Sequence, residues 1–183
     1  MKLFIKVCKF LLLGILSLLA VTLVVALFVK KDYRVQREIV INKPKQEVFE
    51  YVKYLKNQHN FSTWEMMDPN MKQTFSGTDG TVGFVSAWDG DPNSVGKGSQ
   101  EIKKISDGER IDFELHFIKP FESTSPVYMA TEAMSETATK LTWAMSGTMN
   151  YPMNAMQLFM SMDDAIGKEY AQSLANLKGV LEK

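Results

Sequence analysis

From Phe10 to Val29 the chain runs for 20 residues without a charge, rich in leucine and valine. At about 1.5 Å of rise per residue, a helix of that length spans roughly 30 Å, the thickness of a bilayer's hydrocarbon core. Gly14, Ser17 and Thr22 interrupt the run without breaking it, because a hydroxyl can bond to a carbonyl one turn back. A cleaved signal peptide is the competing reading. Its apolar region is ordinarily shorter, about 7–15 residues, and ends on small side chains. Here the run ends Ala26-Leu27-Phe28-Val29-Lys30-Lys31, bulky where small residues belong. The pattern therefore predicts an uncleaved, single-pass membrane anchor within residues 1–31, crossing through residues 10–29.

After the anchor the pattern changes. Val35–Ile41 is rich in β-branched residues and predicts a first strand, broken by Asn42-Lys43-Pro44. Pro44 suits the opening of a helix, where its missing N–H is not needed, and Val48, Phe49, Val52 and Leu55 follow at helical spacing. His59–Trp64 predicts a second short helix or turn, closed by Asp68-Pro69-Asn70. The period then falls to two. Six further strands are predicted: Met71–Ser76, Val82–Trp88, Ser99–Ile105, Arg110–Ile118, Ser125–Ala133 and Lys140–Met149. Arg110–Ile118 places Ile111, Phe113, Leu115 and Phe117 on one face against Asp112, Glu114 and His116 on the other. Lys140–Met149 sets Leu141, Trp143 and Met145 against Thr142, Ala144 and Ser146. Such patterning belongs to an antiparallel sheet with one face buried and one wet. From about residue 152 to 181, Met156, Phe159, Met160, Ile166, Tyr170, Leu174, Leu177 and Leu181 predict one long helix with a broad apolar face. Gly167 lies near that face, where a missing side chain permits close approach. The expected fold class is α+β, a curved antiparallel sheet of seven strands gripping a long C-terminal helix and preceded by one transmembrane helix.

Charge sharpens this division. Residues 1–31 hold five lysines and no acid, so residues 32–183 carry 16 basic and 21 acidic side chains, a formal charge of −5. With that balance and no block of Lys/Arg, nucleic acid is not an expected partner. Cys8 is the only cysteine, which excludes an intrachain disulfide and a cysteine zinc site. Lysines and arginines flank both ends of the apolar run, so the membrane face of the domain is left undetermined. No linker or repeat divides residues 32–183, which read as one domain.

The order β-α-α-β6-α, opened by Val-Ile-Asn-Lys-Pro-Lys-Gln-Glu-Val-Phe at 40–49, resembles the START-like (SRPBCC) superfamily. Phe61-Ser62-Thr63-Trp64-Glu65, Asp68-Pro69-Asn70, Gly96-Lys97-Gly98-Ser99, Gly108-Glu109-Arg110-Ile111 and Leu174-Ala175-Asn176-Leu177-Lys178 carry the likeness along essentially all of residues 33–183. Membrane-tethered bacterial members and polyketide cyclase/dehydrase-type proteins are similar. The resemblance implies a helix-grip fold whose cavity, between sheet and long helix, holds a hydrophobic small molecule or lipid. It implies no particular reaction, because the superfamily includes carriers, receptors and enzymes.

Candidate cavity residues follow from the faces. Trp64, Phe84, Trp88, Phe113, Phe117, Tyr128 and Trp143 are aromatic candidates, each indole N–H offering a polar anchor in an apolar wall. Met145, Met156 and Met160 would give that wall flexibility; ordinary core filling is the competing reading for all of these. Asp163 falls in the middle of the predicted apolar helix face, where a carboxylate serves as a polar anchor or acid/base group. A late-starting helix would instead leave it at the surface beside Asp164. A non-catalytic membrane-tethered binding protein is the leading expectation. The alternatives are a cyclase/dehydrase-type enzyme using Asp163, or else Glu114 or His116, and a protein-interaction module with a filled cavity. No cofactor is expected, and His59 and His116 form no metal motif.

Overall fold

The computed structural model describes residues 2–183, with side chains from Phe4 onward. The elements are α1 (Lys2–Ala26), β1 (Asp32–Ile41), α2 (Lys45–Lys53), a 3-10 helix (Leu55–Asn60), α3 (Thr63–Met67), β2 (Lys72–Ser76), β3 (Val85–Asp89), β4 (Lys97–Ser106), β5 (Arg110–Lys119), β6 (Ser123–Ser135), β7 (Ala138–Thr148), a second 3-10 helix (Met153–Leu158) and α4 (Met162–Leu181). They divide into two compact units. One holds the residues up to Tyr33 with Thr148–Ser161, and the other holds Arg34–Gly147 with Met162–Lys183.

In the larger unit the strands form one seven-stranded sheet in the order β1-β7-β6-β5-β4-β3-β2. Every pairing from β2 to β7 is antiparallel, as short turns between consecutive strands require. A register shift between Ile102 and Lys104 bends β4 against β5. The inward row of β5 begins Ile111 and Phe113, both buried, and the sheet curves around α4, whose Leu174 and Leu177 are fully buried.

Local signals place the remaining pieces. Pro44 caps α2, and Val48, Phe49 and Val52 turn inward at the predicted spacing. The first 3-10 helix starts where Asp79 accepts hydrogen bonds from the backbone N–H groups of Leu55 and Lys56, at 2.9 and 3.1 Å. Its continuation into α3 is pinned to α4: Thr63 N–H donates to Ser173 Oγ at 3.0 Å, and Asn176 Nδ2 to the Phe61 carbonyl at 3.1 Å.

Two expectations need correction. Thr142 and Ala144, assigned to a wet face, are buried. Long side chains lie across that outer face: Thr142 Oγ1 donates to Glu38 Oε1 at 3.3 Å, and Arg34 Nη2 reaches Gln36 Oε1 and the Tyr128 hydroxyl at 2.7 and 2.9 Å. The last helix does not run from residue 152. It starts at Met162, after a separate 3-10 helix.

The smaller unit explains that interruption. Helix α1 contains a 23-residue stretch, Phe4–Ala26, long and apolar enough to cross a membrane. Within it the Ser17 hydroxyl donates to the Gly14 carbonyl at 2.9 Å, so its polarity is hidden by the helix itself. Asn154, fully buried, donates to the Ala26 and Val29 carbonyls at 2.7 and 3.2 Å. Gln157 reaches the Lys30 and Lys31 carbonyls at 3.1 and 3.4 Å. Carbonyls at a helix end and just beyond it lack the full set of intrahelical donors, and these two amides add donors there.

Candidate functional site

Between the concave face of the sheet and α4 lies a cavity of about 320 Å³. Strands β2–β7 supply its floor and sides through Gln73, Ser86, Trp88, Gln100, Leu115, Phe117, Val127, Trp143 and Met145. The α3 region supplies Gln58, Ser62, Trp64 and Glu65, loops add Met71 and Val95, and α4 adds Ile166 and Tyr170. Strand alternation decides membership. Leu115 and Phe117 continue the inward row of β5 beyond the solid core at Ile111 and Phe113.

Aromatic rings shape the space. Trp143 stacks on Tyr170 with centroids 4.4 Å apart and planes 16° apart, joining sheet to helix. Trp64 meets both rings edge-on, at 6.2 Å from Trp143 and 5.4 Å from Tyr170. Trp88 meets Phe117 edge-on at 6.1 Å, and its indole N–H donates to the Val95 carbonyl at 3.1 Å. Gly98 is required beneath it, since a Cβ there would come within 2.6 Å of the Trp88 ring.

The polar groups of the wall fall into two kinds. Gln73 Nε2 donates a short hydrogen bond to Glu65, whose carboxylate also stands 3.6 Å from Nδ1 of the exposed His59. By contrast, Gln58 Nε2, Gln100 Nε2 and Trp143 Nε1 are buried N–H donors for which the protein provides no acceptor. All three residues line the cavity.

Of the residues singled out by sequence, Trp64, Trp88, Phe117, Trp143 and Met145 come together here. The others do not. Phe113 is closed into the core, and Phe84, which precedes β3, is buried against Phe75 with centroids 6.0 Å apart. Tyr128 has the opposite strand parity to Val127 and Met129, so it lies on the outer face, with the Arg110 guanidinium 3.8 Å over its ring. Met156 and Met160 precede α4 and belong to the smaller unit. Asp163 sits in the first turn of α4, largely exposed, where a carboxylate suits the helix dipole. Its two oxygens accept from Arg37 Nη1 and Nη2 at 2.8 and 3.0 Å. That hydrogen bonding holds the Asp163 carboxyl below the usual carboxylate range and pushes the Arg37 guanidinium up. Gly167 makes the pair possible, because a Cβ there would come within 2.0 Å of Arg37 Nη2. His116 and Glu114 stand outside the wall, near Glu122 at 3.4 Å and Lys103 at 3.6 Å. Among the described residues, no three His, Cys, Asp or Glu side chains converge as metal ligands. Sequence reading missed Gln58, Glu65, Gln73 and Gln100; a polar residue at an inward strand position was the available signal for the last two.

Solved structures share this architecture. A protein from Nitrosospira multiformis is 18% identical, with a TM-score of 0.55 over 80% of this chain and 94% of its own. A norcoclaurine synthase from Thalictrum flavum, solved with a transition-state analogue, is 7% identical, with a TM-score of 0.59 over 83% and 97%. The fold is helix-grip. The ARO/CYC di-domain protein StfQ of the steffimycin biosynthetic pathway is 8% identical, with a TM-score of 0.61 over 83% of this chain and 51% of its own. At these identities the likeness concerns the helix-grip fold alone. No protein-family model matches the sequence, and no curated protein is similar enough to count as a relative.

Proposed function

We propose that this protein is a membrane-tethered binding protein, with residues 1–31 as its anchor and residues 32–183 as a domain holding a lipid or other hydrophobic small molecule. The observation that carries the reading is the set of unpartnered N–H groups on Gln58, Gln100 and Trp143, residues of a mostly apolar wall whose other polar members are Ser62, Glu65, Gln73 and Ser86. A buried donor left without an acceptor costs about 1–3 kcal/mol, so a ligand offering acceptor oxygens to these groups gains what a plain hydrocarbon cannot. The wall contains the carboxylate of Glu65 and no lysine, arginine or histidine. That favours a neutral ligand over a fatty-acid-like anion. The volume, near the lower end of the usual range for ligand pockets, favours a compact molecule over an entire two-chain lipid.

The test is native mass spectrometry of the full chain released from detergent, followed by solvent extraction of what remains bound. A neutral, oxygen-bearing apolar molecule is the expected result, with Gln100→Leu weakening its retention. A bare protein mass, unchanged after incubation with lipid extract, overturns the reading. A cyclase/dehydrase-type enzyme is the second reading, supported by the Glu65–Gln73 pair at the cavity rather than by Asp163. Glu65→Gln separates the two, since a carrier keeps its ligand while an enzyme keeps binding but loses turnover.

A further inference from the structure

The charge-free segment before α4 is the least expected part of the molecule. From Thr148 to Met162 there is no charged residue. Tyr151, Met153, Met156, Leu158, Phe159 and Met160 are all exposed, Phe159 at 79%. Solvent-facing apolar residues scattered singly need no explanation, but a contiguous group of this size marks a contact surface.

Its attachment says which surface. The segment is bonded through Asn154 and Gln157 to the carbonyls of Ala26, Val29, Lys30 and Lys31. Those carbonyls belong to the last residue of the helix that is long enough to span a bilayer, Ala26, and to the stretch that follows it. The end of a spanning helix lies at the boundary between acyl chains and headgroups, so whatever is fastened to it is held there. Phe28 at the same helix end is 85% exposed, continuing the apolar surface. The segment also satisfies its own backbone, as apolar surroundings demand. Ala155 N–H donates to the Pro152 carbonyl at 3.0 Å, and the Phe159 and Met160 N–H groups to Met156 at 3.0 and 2.9 Å. Lys30 and Lys31 follow immediately, placed to extend their ammonium groups to lipid headgroups.

We infer that Thr148–Ser161 is an interfacial membrane-binding element that lies in the bilayer surface, its apolar side chains among the upper acyl chains and its inner side fastened to the end of the anchor. It rests on the reading of α1 as a membrane anchor. It adds a second, monotopic contact, so that the chain meets the membrane through two stretches far apart in sequence.

The experiment places nitroxide labels at Phe159→Cys, Leu18→Cys and Glu136→Cys, each with Cys8→Ser, in the full chain. The chain is reconstituted into vesicles of equal parts phosphatidylcholine and phosphatidylglycerol. Collision rates with oxygen and with a water-soluble nickel chelate are then compared. The expected result is an oxygen-to-nickel ratio several-fold higher at residue 159 than at residue 136, in the turn between β6 and β7, and highest at residue 18. A water-like ratio at 159 with lipid-like values at 18 overturns the interfacial element while the anchor stands. Shielding of 159 from both reagents also overturns it, since a second copy of the chain then covers the patch. A water-like ratio at 18 removes the anchor, and this inference with it.

Discussion

The larger unit buries Met129, Met145, Phe49 and Phe113 while leaving Met66, Met134, Phe75 and Phe121 exposed; in the smaller unit Met156, Met160, Phe28 and Phe159 are all exposed. In the larger unit, burying such side chains is what drives folding, and polar groups mark the exceptions that need a partner. In the smaller unit apolar side chains remain outside, and the contacts that close it are amide-to-carbonyl hydrogen bonds from Asn154 and Gln157. Residue type alone therefore does not tell core from exposed surface. What distinguishes them is which class of interaction holds the element in place: apolar packing in one unit, amide-to-carbonyl hydrogen bonding in the other.

The largest expected effect tests the packed unit. Trp143→Ala removes the ring that stacks on Tyr170 and should cost about 3–5 kcal/mol, read as a lower urea midpoint for the detergent-solubilised chain. A midpoint that barely moves would mean that sheet and α4 are held together elsewhere. Next, Asn154→Ala leaves the Ala26 carbonyl without its buried donor, a loss of about 1–3 kcal/mol. The cost should appear as faster amide exchange confined to residues 148–161; equal acceleration in β4 and β5 would erase the distinction between the units.

Gly167→Ala is a test of sign. At an ordinary helix position the change stabilises by roughly 0.5–1 kcal/mol. Here the new methyl displaces the Arg37 guanidinium from Asp163, so that gain is expected to be lost. That loss should shrink in the Arg37→Ala background, as coupled neighbours require. The smallest effect is acid-dependent. Because Arg37 lowers the folded-state pKa of Asp163, the stabilisation from this pair is fully present above the ordinary aspartate pKa of about 3.9 and is lost as pH falls through the lower folded value. Asp163→Asn should flatten the part of the stability profile that lies below the ordinary aspartate pKa, and a profile identical to the parent would show the pair to be without weight.

What the sequence determined by itself is what depends on local geometry. Alternation at period two put Ile111, Phe113, Leu115 and Phe117 on one face, spacing near 3.6 marked Val48, Phe49 and Val52, and an uninterrupted apolar run marked α1. These periods are set by backbone dihedrals within a few residues, so they survive without knowledge of the partner. Parity was legible for Trp143 and Met145; it was not applied to Tyr128, a candidate named as an aromatic, whose position on β6 faces outward. Only the tertiary structure decided where α4 begins, which polar groups are satisfied and where the cavity lies along the inward rows. Asn154 finds Ala26 across 128 residues, and Arg37 finds Asp163 across 126. Periodicity does not encode such pairings. They arise where distant segments compete for the same buried donors and acceptors, and Gln58, Gln100 and Trp143, all residues of the cavity wall, carry donors that this competition left without an acceptor.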